Sequence, residues 1–97
     1  MIQSFRDKGT EDLFDGIVSP GARERCPESL WPIARRKLDQ VNRAVSLKDL
    51  SVPPGNRLEM LKGDRKGQAS IRINQRYRVC FHWENGDAYE VEIADYH

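Results

Sequence analysis

The chain has 97 residues, 38% hydrophobic and 32% charged, which is enough for one domain (1–97) with a single small core and too mixed in charge for disorder. Its apolar runs are only a few residues long and Met1–Phe5 carries neither a basic lead nor an apolar stretch, so no membrane contact is expected and a cytoplasmic location is. Cys26 and Cys80 stand far apart with no paired spacing, which excludes a zinc-finger pattern and predicts two reduced thiols.

Ile2–Phe5 reads as a short first strand. Asp7 to Gly16 reads as a helix with Leu13 and Phe14 inward and Gly16 as its stop. Ser19-Pro20-Gly21 reads as a turn. A second helix is predicted from about Ser29, with Pro32 tolerated in its first turn. Leu30, Ala34, Leu38, Val41 and Val45 form its apolar stripe, with Arg35, Arg36, Asp39, Gln40 and Arg43 off it. Ser46–Leu50 adds one helical turn. Ser51-Val52-Pro53-Pro54-Gly55-Asn56 is read as irregular and separates a helical half from a strand half.

From Arg57 the period changes to two. Leu58 and Met60 alternate with Arg57 and Glu59, and 62–67 is a polar turn. Ala69, Ile71 and Ile73, then Tyr77, Val79, Phe81 and Trp83, then Tyr89, Val91 and Ile93 are the inward sets of three strands. Asn85-Gly86 is a strong hairpin signal. Helices that precede an antiparallel meander give an α+β class, with the helices on one face of the sheet.

The net charge of +1 hides an asymmetry. Residues 57–78 hold seven Lys/Arg against two acids, and residues 79–97 hold five acids and no Lys or Arg. Such a cationic block either grips phosphates or is a solvated strand face paired with the acidic last strand. Arg72, Asn74, Arg76, Arg78 and His82 are expected on the face away from the helices, or on its rim. Arg72 and Arg78 suit forked bonds to a phosphate.

The end of the chain, Asp95-Tyr96-His97, carries three groups able to hold or move a proton. The α-carboxylate on His97 favours its imidazolium, which can protonate a leaving alkoxide. The alternative is a functionless terminus. Two histidines are too few for a catalytic zinc site without carboxylates, and no glycine-rich phosphate loop or Ser-His-Asp arrangement is present, so no metal and no cofactor are expected.

The stretches Pro53–Glu59, LKGDRKGQASIRINQRYRVCFHW (61–83) and VEIADYH (91–97), with the start Met1–Arg6, closely resemble the HigB-type toxins of bacterial toxin–antitoxin modules, in the RelE-like superfamily. The resemblance covers nearly the whole chain and is most specific in its second half. It implies two N-terminal helices packed on a twisted antiparallel sheet. It also implies a ribosome-dependent mRNA endonuclease that works without metal by 2′-hydroxyl attack.

The implied partners are a HigA-type helix-turn-helix antitoxin, the ribosome with its mRNA, and operator DNA reached only through the antitoxin. By the same resemblance Asp95, Tyr96 and His97 match the catalytic tail, Lys62 and Arg78 match basic site residues, and Asn74 stands where some members have arginine. Arg57, Arg72 and Arg76 are the further RNA-binding candidates. Glu59 stands where some members have a catalytic histidine. It is read either as the base in that role or as a strand glutamate paired with Arg57 or Arg72. The competing functional readings are a non-catalytic co-repressor bound to its antitoxin, or an inhibitor that blocks the ribosome without cutting.

Overall fold

The computed structural model describes residues 1–95, so the roles read for Tyr96 and His97 lie outside the described residues. The first helix, α1 (Lys8–Asp15), starts at Asp7, whose carboxylate accepts from the Thr10 amide at 2.7 Å, and stops at Gly16 with φ 76°. Helix α2 (Pro20–Arg25) occupies the place where a turn was expected. Ser19 caps it, accepting from the Ala22 amide at 3.0 Å, and Pro20 takes the first helical position. The Ser-Pro pair serves as well for a helix start as for a turn, and here it is the start. The two helices meet through glycine: a Cβ on Gly9 would lie 2.3 Å from the Gly21 carbonyl oxygen.

Helix α3 (Trp31–Arg43) buries Trp31, Ala34, Leu38 and Val41. The expected stripe ends there, because Ala44 turns extended and Val45 is 80% exposed. The helical turn expected at 46–50 is present as Leu47–Ser51, and the proline-rich segment after it is more regular than expected, with a further single turn at Pro54–Asn56. Asn56 pins it from inside. Its fully buried amide reaches Gln40 Oε1 at 3.0 Å and the Leu50 carbonyl at 3.2 Å, and its Oδ1 accepts from Lys37.

Strands β1 (Glu59–Met60), β2 (Gln68–Arg72), β3 (Tyr77–Glu84) and β4 (Asp87–Asp95) form an antiparallel sheet in that order. The β3–β4 turn places Asn85 and Gly86 at φ 52° and 83°, the mirror-image turn that Asn-Gly favours. Ala69, Ile71, Ile73, Tyr77, Val79, Phe81, Val91 and Ile93 meet Leu13, Ala34, Leu38 and Val41 in the core. Each buried leucine-sized side chain contributes about 1.5–3 kcal/mol.

Two strand readings need correction. Strand β1 is only two residues long; Met60 is 55% exposed, and the next residue, Leu61, is buried instead. In β4 a bulge at Glu90 (φ 51°) inserts a residue, so His82 faces Tyr89 and Trp83 faces Ala88. One extra residue reverses the facing of everything beyond it. Tyr89 therefore leaves the core set, and Ala88, fully buried, enters it. Residues 2–5 do not form a regular strand but lie parallel along the outer edge of β4, through bridges Ile2–Ala88 and Phe5–Val91. Edge pairing of this kind shields an otherwise sticky strand.

The second sheet face is not simply wet. Leu61, Cys80 and Ala94 form a small apolar cluster there, Ser70 is fully buried, and Glu92 is bound by Arg65. No helix of the described residues is long and apolar enough to cross a membrane.

Candidate active site

The register of the sheet assembles the site. Glu59 lies opposite Ser70, Arg72 opposite Arg78, and Arg78 opposite Ala94. Side chains alternate along strands, so Glu59, Ser70, Arg72 and Arg78 share the face away from the helices. Arg78 Nε donates to Ser70 Oγ at 2.8 Å, and its Nη2 donates to the Arg57 carbonyl at 2.7 Å. Nη2 also lies 3.5 Å from Glu59 Oε1. The Arg78 side chain is 14% exposed and that of Glu59 is 54%. Arg57, Leu58, Glu59 and Arg78 line an open cleft of about 330 Å³.

Arg57 takes the left-handed conformation (φ 45°, ψ 53°), which a non-glycine residue adopts at a cost of about 1 kcal/mol or more. That twist aims its carbonyl at Arg78 while its side chain stays exposed. The arrangement is a cationic floor with a carboxylate at its lip. It suits an anionic group bound beside a proton acceptor.

The other expected site residues distribute unevenly. Glu59 pairs with Arg78, not with Arg57 or Arg72. Arg72 is half-buried and its Nε donates to the Asn74 carbonyl at 3.0 Å. The Asn74 side chain shapes the β2–β3 turn, accepting from the amides of Arg76 and Tyr77 at 2.9 and 2.8 Å. Arg76 is joined to Asp95 by two bonds, each 2.8 Å. Its pKa is raised, first by that hydrogen bonding and then by the Asp95 charge. Lys62 is exposed ahead of the Gly63–Arg65 turn and is not part of the cleft lining.

Asp95 closes β4 opposite Tyr77, one residue past Ala94, so the described chain ends beside the strand that carries Arg78. His82, four residues along β3 and so about 13 Å from Arg78, lies 3.6 Å from Glu90. Among the described residues no group of three or more His, Cys, Asp or Glu is placed to hold a metal ion. Ser70 is the site residue that sequence reasoning missed. Its only signal was a small hydroxyl at an outward register position between Ala69 and Ile71.

Residues 3–97 match the family of RelE-like toxins of the type II toxin–antitoxin system HigB. The chain belongs to this family. It is 39% identical to Toxin HigB-1 of Vibrio cholerae serotype O1, over 91% of this chain and 90% of that protein. It is 32% identical to Endoribonuclease HigB of Proteus vulgaris, with both chains fully covered. Among solved structures, the YoeB–YefM complex from Staphylococcus aureus matches with a TM-score of 0.60 at 13% identity, covering 100% of this chain and 98% of that one. At that identity the likeness concerns the fold: this HigB-family toxin shares its α+β architecture, helices on an antiparallel sheet, with the matched chain of that complex.

Proposed function

We propose that this HigB-family toxin is a ribosome-dependent endoribonuclease that cuts translated mRNA and so arrests translation and growth. The name of the Proteus vulgaris relative, an endoribonuclease, supports the reaction class. The observation that carries the mechanism is the Arg78–Glu59 pair in an open cleft beside the end of β4.

In this reading the RNA 2′-hydroxyl attacks the adjacent phosphorus in line. The O2′–P bond forms and the P–O5′ bond breaks. Glu59 accepts the 2′-hydroxyl proton. Arg78 offsets the charge that grows on the phosphate oxygens, the kind of interaction that is usually the largest catalytic contribution. Arg57, Arg72 and Lys62 add positive potential around the strand. His97 protonates the departing 5′-oxygen, helped by Tyr96 and Asp95. The ribosome holds the message in the attack geometry that an open cleft does not impose alone.

A HigA-type helix-turn-helix antitoxin is the proposed partner, with operator DNA reached through it and the toxin acting in the cytoplasm. The type II family description and the YoeB–YefM pairing of the structural relative support an antitoxin of some kind.

The test is primer extension on mRNA from induced cells, with analysis of the cut ends. New 5′ ends within translated messages, matched by 2′,3′-cyclic or 3′-phosphate termini and absent with Arg78→Ala or His97→Ala, are expected. A free 3′-hydroxyl at the cut rejects 2′-hydroxyl attack. Arrest of translation without new ends turns the reading to a ribosome-blocking inhibitor.

A further inference from the structure

We propose that Ser70 is a positioning residue for Arg78, and that the left-handed Arg57 carbonyl completes the same brace. This rests on the endonuclease reading and names how that site is kept ready for a phosphodiester anion.

The argument begins with flexibility. A free arginine side chain has many rotamers, and a site that must order it on each turnover loses binding energy doing so. Here two acceptors hold the guanidinium before any ligand arrives: Ser70 Oγ at Nε (2.8 Å) and the Arg57 carbonyl at Nη2 (2.7 Å). The donors sit on two different nitrogens, so together they define the plane of the group and not merely its position. No described residue accepts from Nη1, which leaves that N–H pair for an anion.

The second step concerns charge. Both bracing acceptors are neutral, so the guanidinium keeps its full positive charge for a phosphate. Glu59 stands 3.5 Å away and half-exposed. An unbraced Arg78 would swing into a closer forked pair with Glu59, neutralising the cation and occupying the base together. Ser70 is fully buried and reaches Arg78 from the neighbouring strand. The Arg57 carbonyl points inward only because its backbone accepts a left-handed conformation. A strained backbone and a buried hydroxyl that converge on one guanidinium are a geometry held for a purpose.

Single-turnover cleavage on programmed ribosomes tests this. Ser70→Ala slows cutting at saturating ribosome by about tenfold, with half-saturation changed less than about twofold, because a transition-state contact is loosened and not the docking. Ser70→Thr restores the rate. In an Arg78→Lys background, which has no Nε to brace, Ser70→Ala has no further effect.

A second pair of variants isolates the carbonyl. Arg57→Gly and Arg57→Val both delete the guanidinium, but glycine takes φ near 45° without penalty while β-branched valine strongly disfavours it. The valine form is expected to cut about tenfold slower than the glycine form, since a shift near 1 Å is costly at a reacting centre. Equal rates for Ser70→Ala and the parent chain, or the same loss with Lys at 78, overturn the Ser70 brace. Equal rates for the glycine and valine forms overturn the carbonyl brace. A parent chain that cuts nothing overturns the endonuclease reading itself, and this inference with it.

Discussion

Arg76 and Asp95 hold each other by two parallel bonds, Nε to Oδ1 and Nη2 to Oδ2, both 2.8 Å. The fork ties the β2–β3 turn to the last described residue of β4. The arginine read from the sequence as an RNA contact is thus forked onto the carboxylate that precedes the proposed acid–base tail. The Arg76 guanidinium also lies 5.5 Å from the Tyr77 ring centroid, which steadies it further.

Arg76→Ala is therefore expected to lower cleavage by roughly tenfold through a misplaced tail, with little change in the urea midpoint because the pair is largely exposed. Arg76→Lys, which keeps the charge but not the fork, falls between. Single-turnover rates and denaturation curves on the same preparations check it. Parent-like cutting by the alanine form removes the fork from the mechanism.

Gly9→Ala sets two effects against each other. Helix propensity favours alanine by about 1 kcal/mol. Against it, the new Cβ would sit 2.3 Å from the Gly21 carbonyl oxygen, a backbone atom that cannot turn away. Overpacking costs typically 1–3 kcal/mol, so a net loss of stability is expected. Thermal or urea unfolding reads the sign directly; a stabilised variant would mean that α1 and α2 separate easily.

Asn56→Ala removes an amide that serves Gln40 and the Leu50 carbonyl, and an oxygen that accepts from Lys37. Partial burial already lowers the Lys37 pKa, with Arg36 adding to it, so loss of that acceptor leaves a partly buried ammonium without its Asn56 partner. A destabilisation of at least about 2 kcal/mol is expected from the unsatisfied groups. Asn56 directly precedes Arg57, so cleavage should fall more than the folded fraction alone requires. Activity that tracks the folded fraction would separate the loop from the site.

Burial pushes the Cys26 and Cys80 thiols up to about 11 from 9.0. Their folded pKa values lie above the unfolded value, so their contribution is fully present below about pH 9 and is lost as pH rises toward about 11. The loss is on the order of 3 kcal/mol per thiol. Urea midpoints should decline across that window, and less steeply in Cys80→Ala. At neutral pH neither thiol should take up iodoacetamide until denaturant is added. Prompt native labelling would contradict the burial.

Periodicity in the chain was enough for the core. Leu13, Leu38, Val41, Ile71, Val79, Phe81, Val91 and Ile93 stand at spacings of 3.6 or 2, and all of them are buried. Asn85-Gly86 announced its turn for an equally local reason, since both residues must accept positive φ. The resemblance of residues 53–83 and 91–97 to HigB-type toxins carried the family.

What local pattern did not contain, the fold supplied. The Glu90 bulge moved Tyr89 out of the core and Ala88 into it, because one inserted residue reverses facing and no side chain declares it. Ser19-Pro20 became a helix start because α2 has α1 to pack on at Gly9 and Gly21. Which neighbour each arginine pairs with was also undecidable along the chain. Arg76 and Arg78 are two residues apart and chemically identical, yet one clasps Asp95 while the other is braced by Ser70 and the Arg57 carbonyl. Composition and spacing set which groups are available; only strand register, acting across residues remote in sequence, sets which of them meet.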